Sequence, residues 1–320
     1  MCNCEALTKA IDRYIEKADG DLEDTLAAEG YAASKKTVKA AKQIEDEVAE
    51  ALIEETELFT SKAAQAIDLE DFAENIWPGV KAADGLAEKL VAIFTESFEE
   101  MMPGLVEAYI KRTDKELTLK TVSKLTTGWI GRWSEELGEL MKLDSHKEIE
   151  NILNKGLENG DDIAAFTRAI LDSGIRDEYY RARRVSLTEV LRAHSVAQQE
   201  AFMQSPSVEE KLWRHTGSYR NKPRDNHIEF DGTTVGKAER FELPGADGNT
   251  YFPLYPRDTI LPPGESINCH CVCEPIVSEE ILGLPLEERQ ALQQKAIDEM
   301  DEEWEKELDA QNKAKAGIEV

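Results

Sequence analysis

The distribution of proline divides this chain of 320 residues into two parts that must fold differently. Only Pro78 and Pro103 precede residue 206, and the other nine of the eleven prolines lie from Pro206 onward. Proline lacks a backbone N–H and its ring blocks the interior of a helix, so a proline-rich segment cannot be helical throughout. The sequence therefore predicts a mainly α protein, in which a long helical N-terminal part precedes a small loop-rich α+β module and a C-terminal acidic helix.

Apolar periodicity refines this division into four segments. Residues 1–60 are predicted to form an acidic helical segment and residues 61–205 a helical domain, in which Pro78 and Pro103 mark restarts because proline suits a first helical position. The later segments are the small α+β module, 206–276, and an acidic amphipathic helical tail, 277–320. Within the helical domain the predicted helices cover residues 60–76, 80–101, 104–142, 146–157, 163–171 and 177–204.

Amphipathic stripes occur near both ends of the chain. Such stripes bury one face of a helix against its own domain or against a partner, while the acidic residues opposite form a solvated face. In the first stripe, the apolar residues three and four positions apart are Val38, Ala41, Ile44, Val48, Leu52 and Ile53. In the tail, the residues that recur every four positions are Leu292, Ala296, Met300, Trp304 and Leu308.

The net charge of −27 restricts the partners of this chain. A uniformly acidic surface repels duplex DNA and anionic membranes, so broad non-specific affinity for either is not expected. Weak or local contact with DNA through a basic patch remains compatible with this sum. The hydrophobic fraction of 41% is sufficient for a packed core, which argues against wholesale disorder.

Neither a membrane span nor a secretion signal is predicted. No apolar run approaches the roughly 18 residues that a span needs, and the start Met1-Cys-Asn-Cys-Glu5 lacks the basic and apolar regions of a signal peptide. We therefore expect a soluble protein that makes no membrane contact and is made in a reducing cytoplasm. Five cysteines are few and odd in number, which does not favour a disulfide scaffold.

The most distinctive chemistry lies where Cys269, Cys271 and Cys273 alternate, about forty residues after His227. Thiolates and imidazole are zinc ligands, so these four residues are a candidate structural zinc site. In a strand, same-face residues lie roughly 6.6–7 Å apart, so the predicted strand Ile267–Cys273 would have to bend or bulge to bring two sulfurs to one ion. Buried free thiols and a disulfide or redox role are the alternatives that the pattern leaves open.

An alternative interpretation makes the same region catalytic. His227 has Asp225, Glu229 and Asp231 as neighbours, and with the Cys269/Cys271 cluster it is compatible with a metal-dependent hydrolase or nuclease. However, the chain has no Gly-rich phosphate loop, no H-E-x-x-H and no G-x-S-x-G. A histidine in a polar loop is more often a structural hydrogen-bonding residue, and we therefore predict no enzymatic activity.

A set of short motifs occurs in a fixed order over about residues 150–276. It comprises Gly156 and Gly160, the run Arg184-Val-Ser-Leu-Thr-Glu-Val190 with Thr188 and Glu189, Trp213, Arg224 with His227, Asp231-Gly232, Pro253 and Pro256, Glu265, and Asn268-Cys269-His-Cys271. This set resembles the phage Mu F-like minor head protein family, also called head morphogenesis or portal-associated minor capsid proteins. Leu187, His194 and His270 depart from the residues usual in that family.

The resemblance implies a structural protein of the virion, made in the host cytoplasm and present in few copies inside the capsid at the portal vertex. Its implied partners are the portal protein and, in addition, major capsid or scaffold protein. The implied roles are head assembly, DNA packaging or ejection. In the predicted fold, Thr188 and Glu189 tie the long helix to the module through hydrogen bonds, and Trp213 and Phe252 form the small core of the module.

Overall fold

The computed structural model describes residues 20–216 and 223–315, without the side chains at 174–177 and 315. Residues 1–19 of the predicted N-terminal segment, with Cys2 and Cys4, lie outside the described residues. In the part that is described, no helix combines the length and the apolarity that crossing a bilayer requires.

Helices dominate the chain before residue 205, which confirms the predicted fold class. Their bounds are α1 over residues 20–28, α2 Ser34–Ala63, α3 Leu69–Asp71, a π-helical turn Phe72–Ile76, α4 Trp77–Ala83, α5 Leu86–Thr113, α6 Lys124–Asn159 and α7 Ile163–Gln204. The later elements are short strands and helices followed by one long helix: β1 Val208–Arg214, α8 Asp225–Glu229, β2 Thr234–Gly236, β3 Leu243–Pro244, β4 Thr250–Tyr251, α9 Pro263–Ser266, β5 Val272–Val277, α10 Glu279–Leu282 and α11 Leu286–Lys315.

Several predicted helix boundaries are wrong. Pro103 lies inside α5 and does not restart a helix, because the buried residues on both sides of it stabilise α5 by more than the roughly 3 kcal/mol that an internal proline costs. The helix predicted over 104–142 is interrupted after Thr113, where the Asp114 carboxylate accepts the Glu116 N–H at 2.9 Å. The buried residues around Pro103 are Phe94, Phe98, Met102, Leu105 and Val106.

Two predicted helix ends are absent because the helices continue through them. The short helix predicted over 146–157 is the last part of α6, and α7 runs through Ser173 and Gly174 without a break. The Ser173 hydroxyl donates to the Ile170 carbonyl at 2.8 Å, so this serine is satisfied inside the helix. Residue types that favour turns therefore predict more helix ends than the structure has.

The chain divides into two compact units, each built from separate stretches of sequence. Unit 1 is Met1–Ala41, Glu100–Gly128 and Leu187–Val320, and unit 2 is Lys42–Glu99 with Trp129–Ser186. The core of unit 2 consists of aromatic and aliphatic side chains from helices α2 to α7: Phe59, Leu69, Phe72, Trp77, Val80, Ile149, Leu153, Phe166 and Ile170. Five of the six residues of the predicted α2 stripe are buried, Val38, Ala41, Ile44, Val48 and Leu52, whereas Ile53 is only partly buried.

A buried polar cluster lies in unit 2, where Glu55, Asp84 and His146 bring their side-chain ligand atoms within 4.8 Å of one another. His146 Nε2 is 2.7 Å from Asp84 Oδ2. Burial, together with the negative charge of Asp84, raises the pKa of Glu55 to about 9. Glu55 is therefore a neutral acid at physiological pH.

Replacing Glu55 by glutamine is expected to stabilise the protein at pH 8 by about 2–5 kcal/mol and to have little effect near pH 4. The unfolded carboxyl loses its proton above its ordinary pKa of 4.5, whereas the folded one keeps it to about 9. Stability is therefore lost as pH rises through this window, by at most about 1.4 kcal/mol per unit. Urea unfolding at both pH values measures the effect, with exposed Glu50→Gln on the same helix as control. An equal gain at both pH values would contradict the assignment.

The C-terminal helix α11 docks within unit 1. Arg289 pairs with Asp114 and Glu116, and Lys124 Nζ lies 2.7 Å from Glu305. A Cβ at Gly128 would come within 2.3 Å of the Trp304 ring, so this glycine makes room for the indole. The predicted C-terminal helix is confirmed, and it packs against other residues of unit 1.

The buried face of α11 is shifted from the predicted stripe. Met300 of the predicted stripe is buried, but Leu292 and Leu308 are 39% and 40% exposed. Arg289, Gln293 and Ile297, which the stripe did not include, are buried. Gln293 donates to the Thr118 carbonyl at 3.0 Å. Because much of this interface is polar, apolar periodicity alone could not give its register.

The small module contains a three-stranded antiparallel sheet in the order β2-β1-β5 and a hairpin of β3 and β4. The aromatic core of the module is Trp213, Phe230 and Phe241, whose ring centroids lie 5.3–6.0 Å apart. The prediction that Phe252 belongs to this core is wrong, because its side chain is 52% exposed. The Phe241 N–H bonds the Pro253 carbonyl, and the buried Phe241 ring occupies the core position.

Candidate metal centre

Three of the four residues predicted to hold a metal converge in the module. His227 Nδ1 lies 3.6 Å from Cys269 Sγ and 3.6 Å from Cys271 Sγ. All three side chains are 2–3% exposed. His215, which follows β1, brings its Nδ1 to 3.7 Å from Cys271 Sγ. The structure thus collects two sulfurs and one imidazole nitrogen within 4.8 Å of one another, with a second histidine beside Cys271.

The bend that brings the two cysteines together occurs at Asn268. Its φ of 55° lies in the left-handed region, which asparagine adopts more readily than most residues. The predicted start of the final strand at Ile267 is wrong, since β5 begins at Val272. Cys269 and Cys271 therefore precede the strand, and the spacing of alternate strand residues does not limit the distance between their sulfurs.

The His227 ring is oriented by a buried carboxylate. Its Nε2 lies 2.8 Å from Glu265 Oε2, and the same carboxylate accepts hydrogen bonds from Ala246 N and Asn226 Nδ2. Burial raises the pKa of Glu265, but these bonds outweigh it and lower the pKa below its ordinary value. The His227 ring is thereby oriented with Nε2 facing the ionised Glu265 and Nδ1 facing the two sulfurs.

The two cysteines do not titrate alike. A hydrogen bond from Cys271 lowers the pKa of Cys269 well below its ordinary value, despite burial, and His227 and Arg257 act in the same direction. The same bond, together with burial, raises the pKa of Cys271. The hydrogen bond between the two sulfurs therefore favours the thiolate form of Cys269 over that of Cys271. Thiolate character is what a soft metal ion requires of cysteine.

A buried arginine that was not predicted from the sequence, Arg257, supports the loop at residues 267–271, here called the cysteine loop because it carries Cys269 and Cys271. Arg257 is 0% exposed, and its Nη1 donates to the carbonyls of Cys269 at 2.6 Å and Cys271 at 2.9 Å. Its Nη2 donates to Ser195 Oγ on α7 at 2.7 Å. Nothing in the sequence pattern around Arg257 distinguishes it from a solvated loop arginine.

Helix α7 also contacts the backbone of Arg257 through a second buried arginine, Arg192. Arg192 donates to Glu189 Oε2 at 2.8 Å and to the Arg257 carbonyl. Glu189 is therefore connected to the module through Arg192, and Thr188 beside it is buried.

The remaining predicted residues surround the cluster. Asp231 Oδ1 accepts the His215 N–H at 2.8 Å, and Gly232 follows with a φ of 86°. Arg224 Nη2 donates to the Ile267 carbonyl at 2.7 Å.

Cys273 stands apart from the cluster. It lies on β5 opposite Trp213, and its carbonyl accepts a hydrogen bond from Gln198 of α7 at 3.2 Å. Burial raises the pKa of Cys273 to about 12, so it stays a thiol. The structure thus places His215 beside Cys271, whereas the sequence pattern grouped Cys273 with the cluster. The sequence does contain a signal for His215, which lies two positions after Trp213 and therefore on the same face of an extended strand. In the structure the Trp213 ring contacts His227.

The comparisons with known proteins agree with the motif order. The family described as phage Mu protein F like protein matches residues 147–274. An uncharacterized protein of Bacillus subtilis (strain 168), YqbB, is 39% identical over 216 residues, which cover 65% of this chain and 70% of the relative. No solved structure matches significantly. The resemblance seen in the sequence is confirmed, and the chain belongs to the phage Mu F-like family of phage head proteins.

Proposed function

We propose that this chain is a structural, morphogenetic minor head protein of a tailed phage or prophage, which binds the portal vertex inside the capsid and assists head assembly, DNA packaging or ejection. The observation that carries the proposal is the family match over residues 147–274, which runs from α6 through α7 to β5. Its direct partner is the portal protein, with major capsid or scaffold protein as a further contact.

The construction of the matched module supports a structural role. It closes on buried polar contacts that bring distant parts of unit 1 together: His270 Nδ1 lies 2.7 Å from Glu29 Oε2, and the Tyr31 hydroxyl donates to the His270 carbonyl at 2.8 Å. The alternative, a metal-dependent hydrolase that uses His227 with Cys269 and Cys271, needs a metal that substrate can reach. The three side chains are 2–3% exposed, which favours the structural role.

The surface charge suits a location beside packaged DNA. An open groove on unit 2 is lined by Asp46, Glu50, Glu54 and Glu57, with Tyr179 at its side. Acidic surfaces repel the phosphate backbone, so a protein of net charge −27 does not bind tightly along the genome. A basic surface on the portal or capsid protein would be electrostatically complementary to this face.

Purified heads provide the direct test. We expect the chain to be present in heads assembled with the portal protein, protected from added protease until the heads are opened, and absent from heads assembled without the portal. Quantitative mass spectrometry of both preparations measures this, with the major capsid protein as the internal standard. Equal amounts in heads with and without the portal, or cleavage in intact heads, would contradict the proposal.

A second experiment tests portal binding directly. The full-length chain is co-expressed with the portal protein and the mixture is analysed by size-exclusion chromatography at low and high salt. We expect co-elution that weakens as salt rises, because an acidic partner surface contributes charge attraction that ions screen. A folded chain that elutes alone at every salt concentration would contradict portal binding while leaving family membership intact.

A further inference from the structure

We infer that His215, His227, Cys269 and Cys271 are the four ligands of a structural zinc ion. The inference is independent of portal binding, since it depends only on the geometry within the module. It replaces Cys273 of the sequence-based site by His215, and it gives the cysteine loop a chemical role beyond packing.

The distances from the histidine nitrogens to the nearest sulfurs fit a tetrahedral ion. With Zn–S of about 2.3 Å and Zn–N of about 2.0–2.1 Å, a tetrahedron places nitrogen and sulfur about 3.5–3.6 Å apart and two sulfurs about 3.8 Å apart. The measured nitrogen–sulfur distances are 3.6 Å and 3.6 Å from His227 and 3.7 Å from His215. The ligand atoms of His227, Cys269 and Cys271 all lie within 4.8 Å of one another, whereas His215 falls outside this group, so its ring has to turn toward the other three when the ion binds.

The surroundings of His227 are those of a metal ligand. A histidine that binds zinc through one ring nitrogen usually donates its other N–H to a carboxylate, which fixes the tautomer and strengthens the ligand. Glu265 occupies this position at 2.8 Å from Nε2 and is itself 3% exposed. A histidine that only packed in the core would not need its second nitrogen aimed at two sulfurs.

His215 completes the site from the side nearest solvent. Its backbone N–H is held by Asp231, and the next residue, Thr216, donates to the His270 carbonyl at 2.6 Å. The His215 side chain is half-buried, whereas the other three ligands are buried, so this ring offers the route by which an ion enters. The end of β1 is thereby hydrogen-bonded both to Asp231 and to the cysteine loop.

Four protein ligands make this a closed site. A catalytic zinc keeps a coordination position for water or substrate, whereas a structural zinc is bound by four side chains. The ligands come from the end of β1, from α8 and from the loop before β5, so one ion would join three elements of the module. Small loop-rich folds commonly use a metal in this way.

Elemental analysis of the full-length chain, purified without chelator from zinc-supplemented cells, tests the assignment. We expect one zinc per chain. Cys269→Ser, Cys271→Ser and His227→Ala are expected to lose it, and Glu265→Gln to bind it about 10–100-fold more weakly. Cys273→Ser is the matched control, since Cys273 is equally buried on the adjoining strand and is expected to keep the metal.

Cobalt substitution of the wild-type chain needs no variant to fold. We expect the intense visible absorption of tetrahedral Co²⁺ with sulfur-to-metal charge transfer, and the loss of this absorption when zinc displaces the cobalt from the same two cysteines. A folded wild-type chain that takes up neither metal, or Cys273→Ser losing zinc as Cys269→Ser does, would overturn the site. Unchanged zinc affinity in His215→Ala would overturn the fourth ligand.

Discussion

Replacing Trp213 by alanine is expected to lower the free energy of unfolding by about 3–5 kcal/mol, the cost of deleting a large buried aromatic side chain. Trp213 is 0% exposed, and its ring makes edge contacts with Phe230 at 5.5 Å, Phe241 at 5.3 Å and His227 at 5.8 Å. The substitution removes the centre of the aromatic core and one wall of the histidine–cysteine cluster together.

Chemical unfolding followed by circular dichroism measures this loss. Phe252→Ala is the matched control, because Phe252 is also an aromatic residue of the module but is 52% exposed. Its substitution is expected to change stability by less than about 0.5 kcal/mol, as for an ordinary surface position. Similar losses in the two variants would show that the core has been assigned to the wrong aromatic residues.

Replacing Arg257 by methionine is expected to cost about 3–5 kcal/mol, because the change leaves buried hydrogen-bond acceptors without a donor. The carbonyls of Cys269 and Cys271 and the Ser195 hydroxyl all lose the guanidinium. Methionine keeps most of the side-chain volume, so the loss reports mainly on these polar contacts. The cysteine loop loses its support in the same step, and we expect the Cys269 thiol to become more accessible.

Arg240→Met is the control for this experiment. Arg240 also donates to a backbone carbonyl, that of Phe252 at 2.9 Å, but its side chain is 51% exposed. We expect a cost below about 1 kcal/mol, since water replaces an exposed partner. Urea unfolding, combined with the rate of thiol labelling, compares the variants. A cost for Arg257→Met no greater than for Arg240→Met would refute its role as the buried support of the loop.

The helical part was predictable where packing follows a simple period. The α2 stripe from Val38 to Leu52 is buried as its spacing requires. Prediction failed at Pro103 and at Ser173 with Gly174, because local preferences of a few kcal/mol are overridden when a long helix is packed on both sides of the unfavourable residue. The register of α11 failed for another reason, since Arg289 and Gln293 occupy buried positions that a hydrophobic pattern does not mark.

The candidate site was predictable in its chemistry but not in its full membership. His227, Cys269 and Cys271 stood out as metal-binding residue types, and the structure brings them together. Cys273 was grouped with them by strand alternation, which does not apply because the chain turns at Asn268 before the strand begins. Arg257 gave no signal at all, since its importance comes from burial that only the tertiary structure shows.

The contacts of Tyr31 and Glu29 with His270 have a consequence for the timing of folding. These residues are separated by 239 and 241 positions, and unit 1 draws on three stretches spread over the whole chain. High contact order slows folding, because the entropy of closing long loops is lost before the distant contacts form. On the ribosome, the N-terminal segment therefore waits for its partner until synthesis is nearly complete. A chain truncated before residue 270 leaves Glu29 and Tyr31 without these partners, so full-length synthesis and correct folding of unit 1 are coupled.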